Sequence, residues 1–262
     1  MRDFDYKKSL GQNFLKDQNV IDKISNSINP SKEDLIIEIG PGAGALTKEL
    51  VKKNCDVICF EIDTRLEEKL NIIKESNDNL KIVFQDFLKA DINKYIDTNK
   101  YKNIYFVGNL PYYITTAIIN KIVNESKPYE IIIMVQKEVA ERFAAKPNTR
   151  DYGSISVFLQ YNFDIETVCI VNKNCFEPIP KVDSAVIKLK TTNKYKRTVD
   201  NEEKLYKIIK DSFTHKRKNL RNNLINYDQN RIKEILKKYN KDLTARAESL
   251  SIEEFIDISN NM

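Results

Sequence analysis

From residue 35 to residue 145, short runs of β-branched residues alternate with segments of helical period. Leu35 to Ile39, Asp56 to Glu61, Leu80 to Phe84, Asn103 to Val107 and Glu130 to Gln136 read as strands. Ala45 to Lys53, Thr64 to Glu75, Ile114 to Glu125 and Lys137 to Ala145 read as the helices between them. Such alternation builds βαβ units around a mostly parallel sheet. After Pro147 the pattern loosens. An apolar run at Ile155 to Phe158 and strand-like stretches at Ile165 to Val171 and Ala185 to Leu189 are expected to finish the sheet with an antiparallel edge. The polar stretch Lys190 to Asp200 reads as a linker. Beyond it Glu202 to Phe213, Asn219 to Asn226, Asn230 to Tyr239 and Ile252 to Ser259 have helical periods. The expected organisation is an α/β domain over residues 1–193 and a small helical domain over 194–262.

Charge separates the same two regions. The 262 residues carry 43 Lys+Arg against 38 Asp+Glu, a net charge of +5. Residues 1–193 hold 27 of each sign, while 194–262 hold 16 basic and 11 acidic side chains. The whole excess sits in the tail, which suits either a polyanionic partner or a solvated helical surface.

The single histidine, His215, argues against a Ser-His-Asp triad, an H-E-x-x-H zinc site and a His-ligated deaminase metal, so no metal site is expected. Cys55 and Cys59 bracket an apolar stretch, and with Cys169 and Cys175 they read as ordinary thiols of a reducing compartment. The N-terminus carries acids and no apolar core, and the longest apolar runs are far short of a membrane span. A soluble cytoplasmic protein is expected.

Glu38-Ile39-Gly40-Pro41-Gly42-Ala43-Gly44 follows the first strand and opens a helix. Glycines there, Gly40 and Gly42 among them, allow a tight turn and close approach of a ligand to the backbone. Glu61 ends the next strand, where a carboxylate can hold both hydroxyls of a ribose. A dinucleotide wants the helix N-terminus free for its pyrophosphate. Glu38 instead places a negative charge beside the turn, which favours a cationic nucleoside, S-adenosylmethionine. Asp86, just past the third strand, is placed to accept a bond from the adenine amine, with Phe87 or Ile62 packing on the ring.

Past the fourth strand comes Asn109-Leu110-Pro111-Tyr112. The Asn109 side-chain oxygen and the Leu110 carbonyl can each accept one N–H of a planar base's amine, and Pro111 fixes the turn that aims them. Tyr112 supplies a stacking face. These four residues are the candidate catalytic set.

The chain resembles the ribosomal RNA adenine dimethyltransferase family, and within it the enzymes that act on the small subunit. The resemblance rests on Gly11-Gln12-Asn13-Phe14-Leu15, the Gly40 loop, Asn109 to Tyr112, Gln136-Lys137-Glu138, Phe176 to Ala185, Lys216 to Asn222 and Arg246-Ala247-Glu248. It implies a Rossmann-like class I methyltransferase sheet and cofactor contacts at Asn13, Leu15, Gly40, Glu61, Asp86 and Asn109. It also implies S-adenosylmethionine-dependent N6-dimethylation of two adjacent adenines near the 3′ end of small-subunit ribosomal RNA. Tyr113 departs from the family, which commonly has Asn directly after the tetrapeptide tyrosine.

On that resemblance the base must be flipped out or single-stranded. Tyr112 is expected on one face and Phe176 on the other, core packing being the alternative for Phe176. Lys216, Arg217, Lys218 and Arg221 are the candidate RNA contacts of the tail. The expected partner is an immature small subunit, bound by a monomer. Rival readings are a large-subunit adenine methyltransferase of the macrolide-resistance type, and a non-catalytic assembly or transcription accessory factor.

Overall fold

The computed structural model describes residues 13–111 and 113–262; expectations that fall on Gly11, Gln12 and Tyr112 lie outside them. The described residues divide into two compact units, 13–140 with 166–190, and 141–165 with 191–262. The break expected after residue 193 therefore comes three residues earlier. Residues 141–165, assigned from sequence to the first domain, group with the second unit instead.

The first unit carries β1 (Phe14–Leu15), α1 (Gln18–Asn26), β2 (Leu35–Ile39), α2 (Thr47–Leu50), β3 (Asp56–Glu61), α3 (Glu67–Glu75), β4 (Leu80–Phe84), β5 (Ile104–Asn109), α4 (Thr115–Glu125) and β6 (Glu130–Gln136), and α5 (Lys137–Phe143) begins in it. Four of the five strands expected before residue 140 have the bounds read from sequence. α2 is shorter than expected because Gly40, Gly42 and Gly44 all take positive φ, so regular helix begins only at Thr47. β5 runs two residues further than expected, to Asn109. Gly108 permits that extension, since a Cβ there would stand 2.7 Å from the Ile39 carbonyl oxygen of the neighbouring strand.

The sheet has seven strands in the order β4-β3-β2-β5-β6-β9-β7, with β7 at Phe163–Val171 and β9 at Ser184–Thr191; the short β8 (Phe176–Glu177) pairs with β1 outside it. β4, β3, β2, β5 and β6 are parallel, and β9 runs antiparallel to β6. From β2 the chain builds outward through β3 and β4, then returns to the other side of β2 as β5. That reversal opens a crevice at the carboxyl ends of β2 and β5, the usual ligand position in open α/β sheets. The strands are fully apolar where helices cover both faces: Leu35, Ile36, Ile37, Phe106 and Val107 have no exposed surface.

Ile155 to Phe158, expected as part of the sheet edge, is helical. It belongs to α6 (Ser154–Asn162), whose Ser156 hydroxyl accepts the Gly153 N–H and donates to the Arg142 carbonyl. An apolar run this short does not distinguish a strand from a buried helix, and here Val157, Leu159 and Tyr161 are all buried.

α6 joins α7 (Glu202–Ser212), α8 (Leu220–Asn223), α9 (Gln229–Lys237) and α10 (Ile252–Asn261) around one core that includes Tyr161, Leu205, Ile208, Leu220, Ile232 and Phe255. α10 starts with a capping box: Glu254 N–H donates to Ser251 Oγ, and Ser251 N–H to Glu254 Oε2. Tyr152 is buried, and its hydroxyl donates to the Leu250 carbonyl. No helix of the described residues is long and apolar enough to cross a membrane.

Candidate active site

One cleft opens at the crevice between β2 and β5. Asn13, Leu15, Gly40, Gly42, Glu61, Ile62, Asp86, Phe87, Asn109, Leu110 and Pro111 all line it. Elements far apart in sequence thus bring together the expected cofactor residues and the described part of the tetrapeptide.

The glycine turn is closed by Gly40 N–H on the Phe60 carbonyl (2.9 Å) and Gly44 N–H on the Pro41 carbonyl (3.0 Å). At Gly42, φ is +59° and a Cβ would lie 2.7 Å from the Phe14 ring, so the turn and β1 approach as closely as they do only with glycine here. Glu61 ties the turn to β3. Its Oε2 accepts the Gly42 N–H at 3.0 Å and its Oε1 the Asp63 N–H at 2.8 Å. Burial raises the Glu61 carboxyl above its ordinary value, against the opposing pull of those backbone N–H groups. The Ile62 N–H is a third backbone donor to the same carboxylate.

Glu38 is 2% exposed and borders the same cleft. Its Oε2 accepts from Thr47 Oγ1 (2.7 Å) and Cys59 Sγ (3.3 Å), and Cys59 is its partner in the β2–β3 register. Desolvation outweighs these neutral donors and pushes the carboxyl up to about 7. The negative charge expected of Glu38 is therefore harder to form here than on a solvated carboxylate. Thr47 and Cys59 were not anticipated as its partners, because the strand register that pairs Glu38 with Cys59 had to be known first.

Asp86 serves two ends. Its Oδ1 accepts the Leu88 N–H and its carbonyl the Lys89 and Ala90 N–H groups, so it caps a turn while it borders the cleft. Of the two residues expected against the adenine ring, Ile62 is 52% exposed, whereas Phe87 is buried edge-on against Phe60 and Phe106. Ile62 has the free face, and Phe87 forms part of the floor.

Asn109 ends β5. Its Nδ2 donates to the Asn13 carbonyl at 2.8 Å, which fixes the plane of the amide. Asn109 lines the cleft, and its Oδ1 is the side chain's one acceptor atom. The Pro111 carbonyl accepts the Ile114 N–H and the Thr115 hydroxyl, which ties Pro111 to the start of α4.

Phe176 corrects an expectation. It is 2% exposed, opposite Leu15 in the β1–β8 pair and inside the hydrophobic core, so its ring has no face turned to a base in this structure. The residue that reasoning from sequence passed over is Phe14, which borders the cleft and abuts Gly42; its place within the Asn13-Phe14-Leu15 block was the available signal. Of the thiols, Cys55 and Cys59 are buried, and Cys169 and Cys175 half-buried. In the second unit Arg217, Lys218 and Arg221 are exposed, while Lys216 Nζ donates to the Arg150 carbonyl at 2.9 Å.

Residues 3–262 match the family model for ribosomal RNA adenine dimethylase. The chain belongs to that family. A ribosomal RNA small subunit methyltransferase A of Bacillus pumilus (strain SAFR-032) is 46% identical over 266 residues, covering 98% of this chain and 91% of the relative. A protein of the same name from Clostridioides difficile (strain 630) is 45% identical, with the same coverage. Among solved structures, a dimethyladenosine transferase from Plasmodium falciparum matches with a TM-score of 0.76 at 23% identity, over 94% of this chain and 95% of that one. The 23S rRNA methyltransferase ErmE matches with a TM-score of 0.73 at 27% identity, over 95% and 99%. The α/β class I methyltransferase fold expected from the sequence is the fold found.

Proposed function

We propose that this family member transfers methyl groups from S-adenosylmethionine to the N6 nitrogens of two adjacent adenines near the 3′ end of small-subunit ribosomal RNA, within an immature subunit. The reading includes action as a cytoplasmic monomer in ribosome biogenesis. The observation that carries it is the Asn109 amide, anchored through Nδ2 on the Asn13 carbonyl in the lining of a cleft whose other residues suit a cationic nucleoside. The small-subunit assignment is favoured over the large-subunit one by 46% identity to the small-subunit relative against 27% to the ErmE structure.

The cleft fits the cofactor by its donor set. Glu61 offers acceptors for a ribose diol, Asp86 an acceptor for an adenine amine, Ile62 an apolar face for the ring, and Glu38 a carboxylate able to ionise against a cation. Asn13, Leu15, Gly40 and Gly42 shape the rest. When bound, S-adenosylmethionine supplies a methyl group already activated by its sulfonium.

The residues of the chain then act on the adenine. Its N6 lone pair is delocalised into the ring and nucleophilically poor. With Asn109 Oδ1 and the Leu110 carbonyl each holding one N–H, a pyramidal nitrogen is favoured and the pair is localised toward the methyl. Preorganised acceptors and positioning supply the catalysis. Pro111 keeps the turn fixed and Tyr112 is assigned the stacking face. Each transfer leaves a cationic nitrogen and a thioether, and the extra proton passes to solvent; after the first transfer one N–H remains, so one of the two acceptor contacts is given up.

The test is transfer of labelled methyl to small subunits from a strain lacking the modification, with large subunits in parallel. Label in small-subunit RNA at adjacent adenines is the expected result, and label only in large-subunit RNA would sink the assignment. For the second unit, Lys216, Arg217, Lys218 and Arg221 are proposed to meet RNA phosphates. Replacing Arg217, Lys218 and Arg221 together by Gln is expected to reduce the slope of log affinity against log salt by about 2, each lost phosphate contact removing roughly 0.7 to 0.9. An unchanged slope counts against those contacts.

A further inference from the structure

Tyr113 is the more exposed of two large apolar side chains that line the cleft and stand open to solvent, the other being Ile62. Tyr113 borders the same cleft as Asn109 and Pro111, yet 69% of its surface is exposed. An exposed large apolar ring at the lip of a built site is more informative than one scattered on an ordinary surface. Its backbone is held: the Pro111 carbonyl accepts the Ile114 N–H across it, and α4 starts at Thr115.

We propose that Tyr113 is a stacking platform for the nucleotide next to the target adenine, a positioning residue that holds the RNA strand while the target amine reaches Asn109. The inference rests on the methyl-transfer reading above. If one adenine of an adjacent pair is turned into the cleft, its neighbour lies at the mouth, where this ring stands. Phe176, buried in the core, does not compete for that place. An aromatic face has a particular advantage for a substrate modified at two neighbouring positions. Stacking uses the π-face, which every base has, and is indifferent to whether N6 is free or dimethylated. An amide at this position would read the neighbour by its N–H groups and would lose that contact once the neighbour had been dimethylated. With Tyr the platform serves the first adenine and the second alike.

The chain has no tryptophan, so Y113W places a single indole at the proposed contact, and wild-type protein mixed with the same particles provides the blank. Saturable quenching of the indole emission by unmethylated small subunits is expected. In steady-state methylation Y113A is expected to raise KM for the particle about tenfold, the range of one base–aromatic stack, with kcat and cofactor affinity within about twofold, and Y113F to restore the wild-type KM. Indole emission that does not move at saturating particle, or a Y113A variant with wild-type KM, would overturn the inference while leaving the methyl-transfer reading intact. Wild-type protein that transfers no label to the particle would overturn the reading itself and the inference with it.

Discussion

Asn109→Ala is expected to lower methyl transfer by about 10²- to 10³-fold, the usual cost of removing one preorganised polar group from a charge-developing centre. Cofactor affinity and particle binding are expected to stay within severalfold of wild type. The side chain does two things. Its Nδ2 is spent on the Asn13 carbonyl, and only Oδ1 is left to act on the adenine amine. Alanine removes both, but the anchoring bond has no role except to hold the amide. Asn109→Asp separates the two functions: it keeps an acceptor of the same size and loses the Nδ2 donor, so a carboxylate oxygen faces the Asn13 carbonyl. That variant is expected to be at least as impaired as Ala, because the anchor turns repulsive and the acceptor is displaced. The measurement is single-turnover transfer at saturating cofactor and particle, alongside binding of each. Equal loss of transfer and particle binding in Asn109→Ala would show that the residue holds RNA rather than activating the amine.

The elements that carry this chemistry were readable to differing degrees, for physical reasons. β2, β3, β4 and β6 follow the bounds read from β-branched runs because parallel strands are apolar through most of their length, with charged residues at their ends or singly, as Glu38 and Lys81. The glycine turn and the tetrapeptide were legible because local backbone geometry needs those residues where they stand. Side-chain partners set by strand pairing were not. That Cys59 donates to Glu38, that Leu15 lies opposite Phe176, and that Asn13 anchors Asn109 all depend on contacts between distant segments. The same limit explains Phe176 and Phe87: an aromatic near a site is drawn equally to the core and to the ligand, and hydrophobicity alone does not choose. Residues 141–165 were placed in the wrong unit because Ile155 to Phe158 has no period long enough to separate helix from strand.

Of the three carboxylates that border the cleft, Glu61 and Glu38 differ most in their donors, and the second large effect is expected from that difference. Glu61→Gln is expected to weaken S-adenosylmethionine binding about 100-fold. Both Glu61 oxygens already accept backbone N–H groups, from Gly42 and Asp63. A glutamine must turn its NH₂ toward one of those donors, which breaks the tie between the glycine turn and β3. Hydrogen bonds to a charged group are worth about 1.5 to 3 kcal/mol each, so loss of one with disorder of the turn accounts for a change of that size. Glu38 meets only the neutral donors Thr47 and Cys59, with the Glu61 carboxylate as a further charge that raises it, and with no cation paired to it among the described residues. It holds its proton up to about pH 7 in the folded chain, against 4.5 as its ordinary value. Between those values the unfolded chain binds fewer protons at this position than the folded one, so the contribution of Glu38 to stability falls as pH rises through the window and is constant above it. Cofactor binding runs the other way. A cationic ligand favours the ionised carboxylate, so affinity is expected to rise with pH and level off above about 7, with a proton released on binding below that point. Titration calorimetry in buffers of different ionisation enthalpy measures both quantities. Glu38→Gln is expected to flatten the pH profile and abolish the proton release, whereas Glu61→Gln lowers affinity at every pH and moves the profile to lower pH, because loss of the Glu61 charge eases ionisation of Glu38. A wild-type profile that is flat across neutrality would remove Glu38 from the electrostatics of the cofactor site.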